Sequence, residues 1–98
     1  MKKLTLAVKA EYFDAIKAGF KTEEYRLYND YWRKRLEDRE YDVIEITRGY
    51  PKLDDYSKRL LFKYQPYSIK TITHPHFGNG STKVFALPLT TPIQENIK

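Results

Sequence analysis

The chain has no cysteine, one methionine, one tryptophan and only two histidines. Without cysteine there is no disulfide and no thiolate metal site, which fits an intracellular protein. Two histidines alone do not complete a metal site, so no metal ligands are assigned. No apolar run approaches the roughly 20 residues of a membrane span. The opening MKKLTLAVKAEYFD is basic, but its apolar run is too short for a signal-peptide core. The expectation is a soluble, cytoplasmic chain with no membrane partner.

What is present is charge and tyrosine. Ninety-eight residues suffice for one domain with a modest core, placed here at residues 1–92 with a loose tail at 93–98. The net charge is +5, an excess that favours an anionic partner. Residues 1–53 hold 12 Lys or Arg against 10 Asp or Glu, and residues 54–98 hold 6 against 3. No block of like charge stands apart, so only folding can gather the excess into a patch. Nine tyrosines supply rings with a polar tip, suited to recognition surfaces. Cations interleaved with rings are what single-stranded nucleic acid needs: charge for phosphates, flat faces for bases.

Residues 3–8, KLTLAV, alternate apolar and polar and predict a half-buried strand. Phe13, Ile16 and Phe20 recur at helical spacing, predicting a helix over about 9–18 closed by Gly19 in the left-handed conformation. KTEEYRLY alternates again, with Glu23, Tyr25 and Leu27 on one face and Thr22, Glu24, Arg26 and Tyr28 on the other. Asn29 or Asp30 caps a second short helix, with Trp32 and Leu36 on its buried side. YDVIEITRGY gives a third strand near 41–48, and RLLFKY and YSIKTIT two more, with a tight turn at Gln65-Pro66. KVFALPL gives the last strand, where Pro88 marks an edge or an irregularity. The order β-α-β-α-β-β-β-β predicts an α+β fold: a small, mostly antiparallel barrel of about six strands with two helices.

Gly19, Lys21, Glu24 and Arg26 spell G-x-K-x-x-E-x-R. Together with the order of elements, the YPK after the third strand, the RLLFKY strand and the HPHFG loop, this motif resembles the ASCH domain family, in a small phage or bacterial branch. The resemblance covers nearly the whole chain. It implies a PUA-like β-barrel with a cleft beside the motif that binds RNA, a nucleotide or a modified nucleoside. Some relatives of this kind cleave single-stranded RNA with a divalent metal, so manganese or magnesium is the cofactor such an activity would need. Others remove an acetyl group from an acetylated cytidine. In that amidohydrolase branch a threonine acts with the lysine where this chain has Glu24. A glutamate does not replace a hydroxyl nucleophile without changing the mechanism, and this departure weighs against amide hydrolysis.

Each candidate residue has two readings. Gly19 either opens the backbone to a ligand or only caps a helix. Lys21 either meets phosphate as a point charge, or acts as a base, or is a surface lysine after the cap; the motif favours function. Glu24 either orients a partner and takes a proton, or closes a strand salt bridge with Arg26. Arg26 offers two parallel hydrogen bonds to a phosphate or base edge. Tyr28 shares their face and is the ring expected to stack, whereas Tyr25 and Trp32 fit the core. His74, with His76 in HPHFG, is a candidate for acid–base cleavage, against the blander reading of a loop histidine bonded to backbone. Arg48, Tyr50 and Lys52 either extend a basic rim or belong to a solvated loop. The leading expectation is an RNA- or nucleotide-binding protein. The alternatives are a ribonuclease or nucleoside amidohydrolase using the same cleft, with Lys21, Glu24 and His74 catalytic, and a protein-binding accessory module.

Overall fold

The computed structural model describes residues 1–73 and 80–93. His74, His76 and most of the expected tail lie outside the described residues. The elements are β1 (Lys3–Val8), α1 (Ala10–Lys17), β2 (Glu23–Leu27), α2 (Asp30–Leu36), β3 (Val43–Arg48), β4 (Arg59–Lys63), β5 (Ser68–Ile72) and β6 (Thr82–Pro88). A single 3-10 turn at Tyr56–Lys58 adds to the expected order. The fold is α+β, with six strands and two helices among the described residues. Among the described residues the strands hydrogen-bond as two three-stranded sheets, β1-β3-β4 and β2-β6-β5. Three of the four ladders are antiparallel, and β1–β3 is parallel.

The chain packs as two compact units. The first contains Met1–Thr22, Tyr41–Tyr64 and residues 89–93. Here α1 follows β1, the chain then leaves for β2 and α2 of the second unit, and on its return β3 pairs parallel to β1. Residues paired across a ladder share a face. Leu4, Leu6 and Val8 therefore align with Ile44, Ile46 and Arg48, and Phe62 pairs with Ile44. Phe13 and Ile16 of α1, both buried, belong with this apolar face, and α1 lies against β3. The other face is polar: Lys3, Thr5 and Ala7 align with Val43, Glu45 and Thr47, and these with Lys63, Leu61 and Arg59. Residues 91–93 cover the outer edge of β4. Lys63 N–H donates to Thr91 O and Ile93 N–H to Leu61 O, each at 2.8 Å.

The second unit contains Glu23–Glu40 and, from the later chain, residues 65–73 and 80–88. β6 is its central strand, paired with β2 on one side and β5 on the other. Val84, Phe85, Ala86 and Leu87 are all buried in succession, and since successive residues point to opposite faces, both faces of this strand are covered. Pro88 marks no edge strand. It is the last residue of this central strand, where a missing N–H does least damage to the ladder. Nor does Gln65-Pro66 form a turn. β4 and β5 lie in different sheets, so the chain between them runs on instead of folding back. Asn29 caps α2 as expected, its Oδ1 accepting from Trp32 N–H at 3.0 Å. Leu36 is buried, while Trp32 and Tyr25 are only half-buried.

Candidate functional site

Lys21 is positioned by the end of α1. Gly19 sits at φ +87°, in the left-handed region that costs other residues energy and glycine none. Gly19 N–H donates to Ile16 O at 3.1 Å and Phe20 N–H to Ala15 O at 2.9 Å, the paired bonds of a Schellman motif. Lys21 N–H adds a bond to the same Ala15 carbonyl at 3.2 Å. The helix end thus consumes its own orphan carbonyls and fixes the backbone at Lys21 immediately after the turn. The Lys21 ammonium stands 6.0 Å from the Tyr12 ring centroid.

A second set of charges gathers on the polar face of the first unit. Glu45 occupies the middle of β3, with its side chain only 7% exposed. Arg59 Nη1 from β4 lies 3.4 Å from its Oε1. Lys3 Nζ from β1 lies 3.6 Å from its Oε2, and Thr5 Oγ1 donates to Oε1 at 3.2 Å. Three strands thus supply one polar cluster. Arg59 also ties down the segment between β3 and β4, because its Nη2 donates to the carbonyls of Lys52 at 3.0 Å and Pro51 at 3.3 Å. Its Nε is shut off from solvent and has no acceptor among the described residues. A buried donor left without a partner costs about 1–3 kcal/mol.

Both features border one cleft of about 1050 Å³ in the first unit. Gly19, Lys21 and Thr22 form part of its wall, and Lys3, Glu45 and Arg59 another part. Counting Lys17, four basic side chains line it against a single acid, Glu45. Leu53 and Tyr56, from the segment that Arg59 tethers, add an apolar and an aromatic surface. Leu53 is 88% exposed and Tyr56 53%, an unusual exposure for groups that gain from burial. A concave surface with cations, a ring and apolar patches suits a ligand that is anionic at one end and flat at the other.

Glu24, Arg26 and Tyr28 belong to the second unit. Arg26 Nη2 lies 2.8 Å and Nε 3.0 Å from the same oxygen, Glu24 Oε2. Both side chains are largely buried, at 9% and 18% exposure. The guanidinium carbon stands 5.0 Å from the Trp32 ring centroid, a cation–π contact with the half-buried indole. Tyr28 is also engaged: its ring lies 5.1 Å from Phe85, 4.3 Å from the Lys83 ammonium and 5.4 Å from the Arg33 guanidinium. On the opposite face of β2, Tyr25 Oη donates to Glu23 Oε1 at 2.8 Å, and Lys70 Nζ meets Glu23 Oε2 at 2.7 Å. Burial raises the Tyr25 phenol above its ordinary pKa, and the Glu23 hydrogen bond and the charges of Glu23 and Glu24 raise it further.

The motif is therefore divided, with Gly19 and Lys21 in the first unit and Glu24 and Arg26 in the second. Arg48, Tyr50 and Lys52 follow from β3 into the loop. Arg48 Nε lies 3.8 Å from Asp14 Oδ1, Tyr50 is 96% exposed and Lys52 gives its carbonyl to Arg59. None of the three belongs to the cleft wall. Sequence reasoning missed Lys3, Thr5, Lys17, Glu45 and Arg59. Glu45 had a signal, since a lone carboxylate inside the apolar strand VIEIT must either face solvent or be paired. Among the described residues no three acids or histidines gather to hold a metal, and both Glu24 and Glu45 are engaged by arginine. The described residues do not fit a divalent ion held by protein ligands alone, and no chemical step is derived through one. No helix among the described residues is long and apolar enough to cross a membrane. No family model, curated protein or solved structure matches the chain.

Proposed function

We propose that the chain binds single-stranded RNA or a nucleotide in the cleft of its first unit. The observation that carries this reading is the charge of the cleft wall, where Lys3, Lys17, Lys21 and Arg59 face one acid, Glu45. Phosphates are drawn to such a surface, and Tyr56 offers a ring against which a base can stack. The reading also agrees with the resemblance of the G-x-K-x-x-E-x-R motif to ASCH domains. The six strands and two helices are the content that a PUA-like barrel of that family requires, and barrel closure is part of the proposal. In this reading Lys21 contacts phosphate, and the Glu24–Arg26 pair supports the second unit from within.

The test is a gel of end-labelled single-stranded RNA incubated with wild type or Lys21→Ala, with manganese or with a chelator. The expected result is a mobility shift with wild type, weakened in the variant, with no shortening of the RNA. Shortening by wild type alone would instead make the cleft that of a ribonuclease. No shift and no shortening would remove the nucleic-acid reading and leave a modified nucleoside or a protein partner.

A further inference from the structure

The cluster around Glu45 has an imbalance of charge that the fold does not explain. Lys3 and Arg59 both attend one carboxylate, so the group carries a net positive charge. Both contacts, at 3.6 and 3.4 Å, are longer than the 2.7–2.9 Å of a closed charge-assisted hydrogen bond. Neither ion pair is closed, and although Arg59 Nη2 donates to the Pro51 and Lys52 carbonyls, these are neutral and leave its charge in place. Arg59 is only 14% exposed and keeps one N–H without an acceptor, so water relieves little of its charge. Lys3, at 47% exposure, retains its solvent-facing side. A positive group kept partly out of water on the wall of a cleft is stabilised by an anion from the cleft side.

We infer that Lys3 and Arg59, spaced by Glu45, form a phosphate subsite, and that the ligand of this cleft is a nucleotide and not an unphosphorylated nucleoside. This rests on the cleft reading above and narrows it. Glu45 is in this arrangement a spacer whose charge repels a second negative charge, and a glutamine keeps its shape between β1 and β4 while removing that charge. Its effect on affinity is therefore opposite in sign to that of a residue that contacts the ligand favourably. Thr5 Oγ1, which donates to Glu45 Oε1, steadies the spacer. Lys21, on another part of the same wall, lies outside this subsite and is the contact for a neighbouring phosphate when the ligand is RNA.

The experiment measures binding of uridine 5′-monophosphate, uridine and inorganic phosphate by titration calorimetry, together with one single-stranded RNA. The proteins are wild type, Lys3→Gln and Glu45→Gln, with thermal melting of each as a control for folding. Lys3 is half exposed, so Lys3→Gln is expected to melt near wild type. Wild type is expected to bind the monophosphate at least tenfold tighter than uridine, with inorganic phosphate competing. Lys3→Gln should lose at least threefold in monophosphate affinity and nothing for uridine, and Glu45→Gln should gain several-fold for the monophosphate. Equal affinity for uridine and its monophosphate would overturn the subsite while leaving the cleft reading in place. So would RNA binding that Lys3→Gln leaves unchanged, or a loss of phosphate affinity in a folded Glu45→Gln. Binding of neither nucleotide nor RNA would overturn the cleft reading itself, and the subsite with it.

Discussion

Arg26 folds back onto Glu24, two residues earlier on the same strand, and places two of its nitrogens within 3.0 Å of one carboxylate oxygen. Strand geometry puts i and i+2 on one face, so the pair needs no partner from another strand. Its burial makes it costly to break. Glu24→Ala removes a carboxylate that holds a largely buried guanidinium by two short contacts, a change worth about 3 kcal/mol. For a chain of this size the thermal midpoint should fall by roughly 12 °C or more. Calorimetry checks this. A loss of RNA affinity with an unchanged midpoint would instead place Glu24 among the ligand contacts.

Lys21 is expected to behave in the opposite way. Lys21→Ala keeps the backbone bonds of the helix cap and removes side-chain contacts such as that with Tyr12, so it should change stability by no more than about 1 kcal/mol. RNA affinity should fall severalfold at low salt. With four basic side chains on the cleft wall, the slope of log affinity against log salt should lie at about −2 to −3, and become shallower by roughly 0.7 in the variant. Filter binding over a series of salt concentrations measures both slopes.

Gly19 separates backbone strain from steric crowding. A Cβ built there meets no atom within 4 Å, yet φ is +87°. Gly19→Ala should therefore cost about 1 kcal/mol through the backbone alone, and Gly19→Asn less. Chemical denaturation compares the two. If both cost nothing, the glycine is kept for ligand access and not for the helix cap.

Tyr25 sets an alkaline limit. Its phenol pKa is raised by burial and by Glu23, so the folded chain holds that proton more tightly than the unfolded chain. The resulting stability is fully present below the unfolded tyrosine value near pH 10 and is lost as pH rises through the higher folded value. Tyr25→Phe should flatten the fall of the thermal midpoint above pH 10. It should also remove one late-ionising tyrosine from an absorbance titration at 295 nm.

The sequence by itself determined what short-range rules decide. Gly19 ends α1 because only glycine enters the left-handed region without penalty, and Asn29 starts α2 because its side chain reaches Trp32 N–H three residues on. Alternation in KLTLAV set Leu4, Leu6 and Val8 on one face, and alternation in EEYRL set Glu24 and Arg26 together. The tertiary structure decided which strands meet. The parallel pairing of β1 with β3 brings Thr5 opposite Glu45, and the antiparallel pairing of β3 with β4 brings Leu61 opposite Glu45 and Arg59 opposite Thr47. Lys3, Glu45 and Arg59 lie some 14 to 56 residues apart along the chain, so no local pattern could announce their cluster. The central position of β6 was hidden for the same reason. A strand's neighbours are chosen by burial and by ladder bonds across the fold, and neither is written in its own residues.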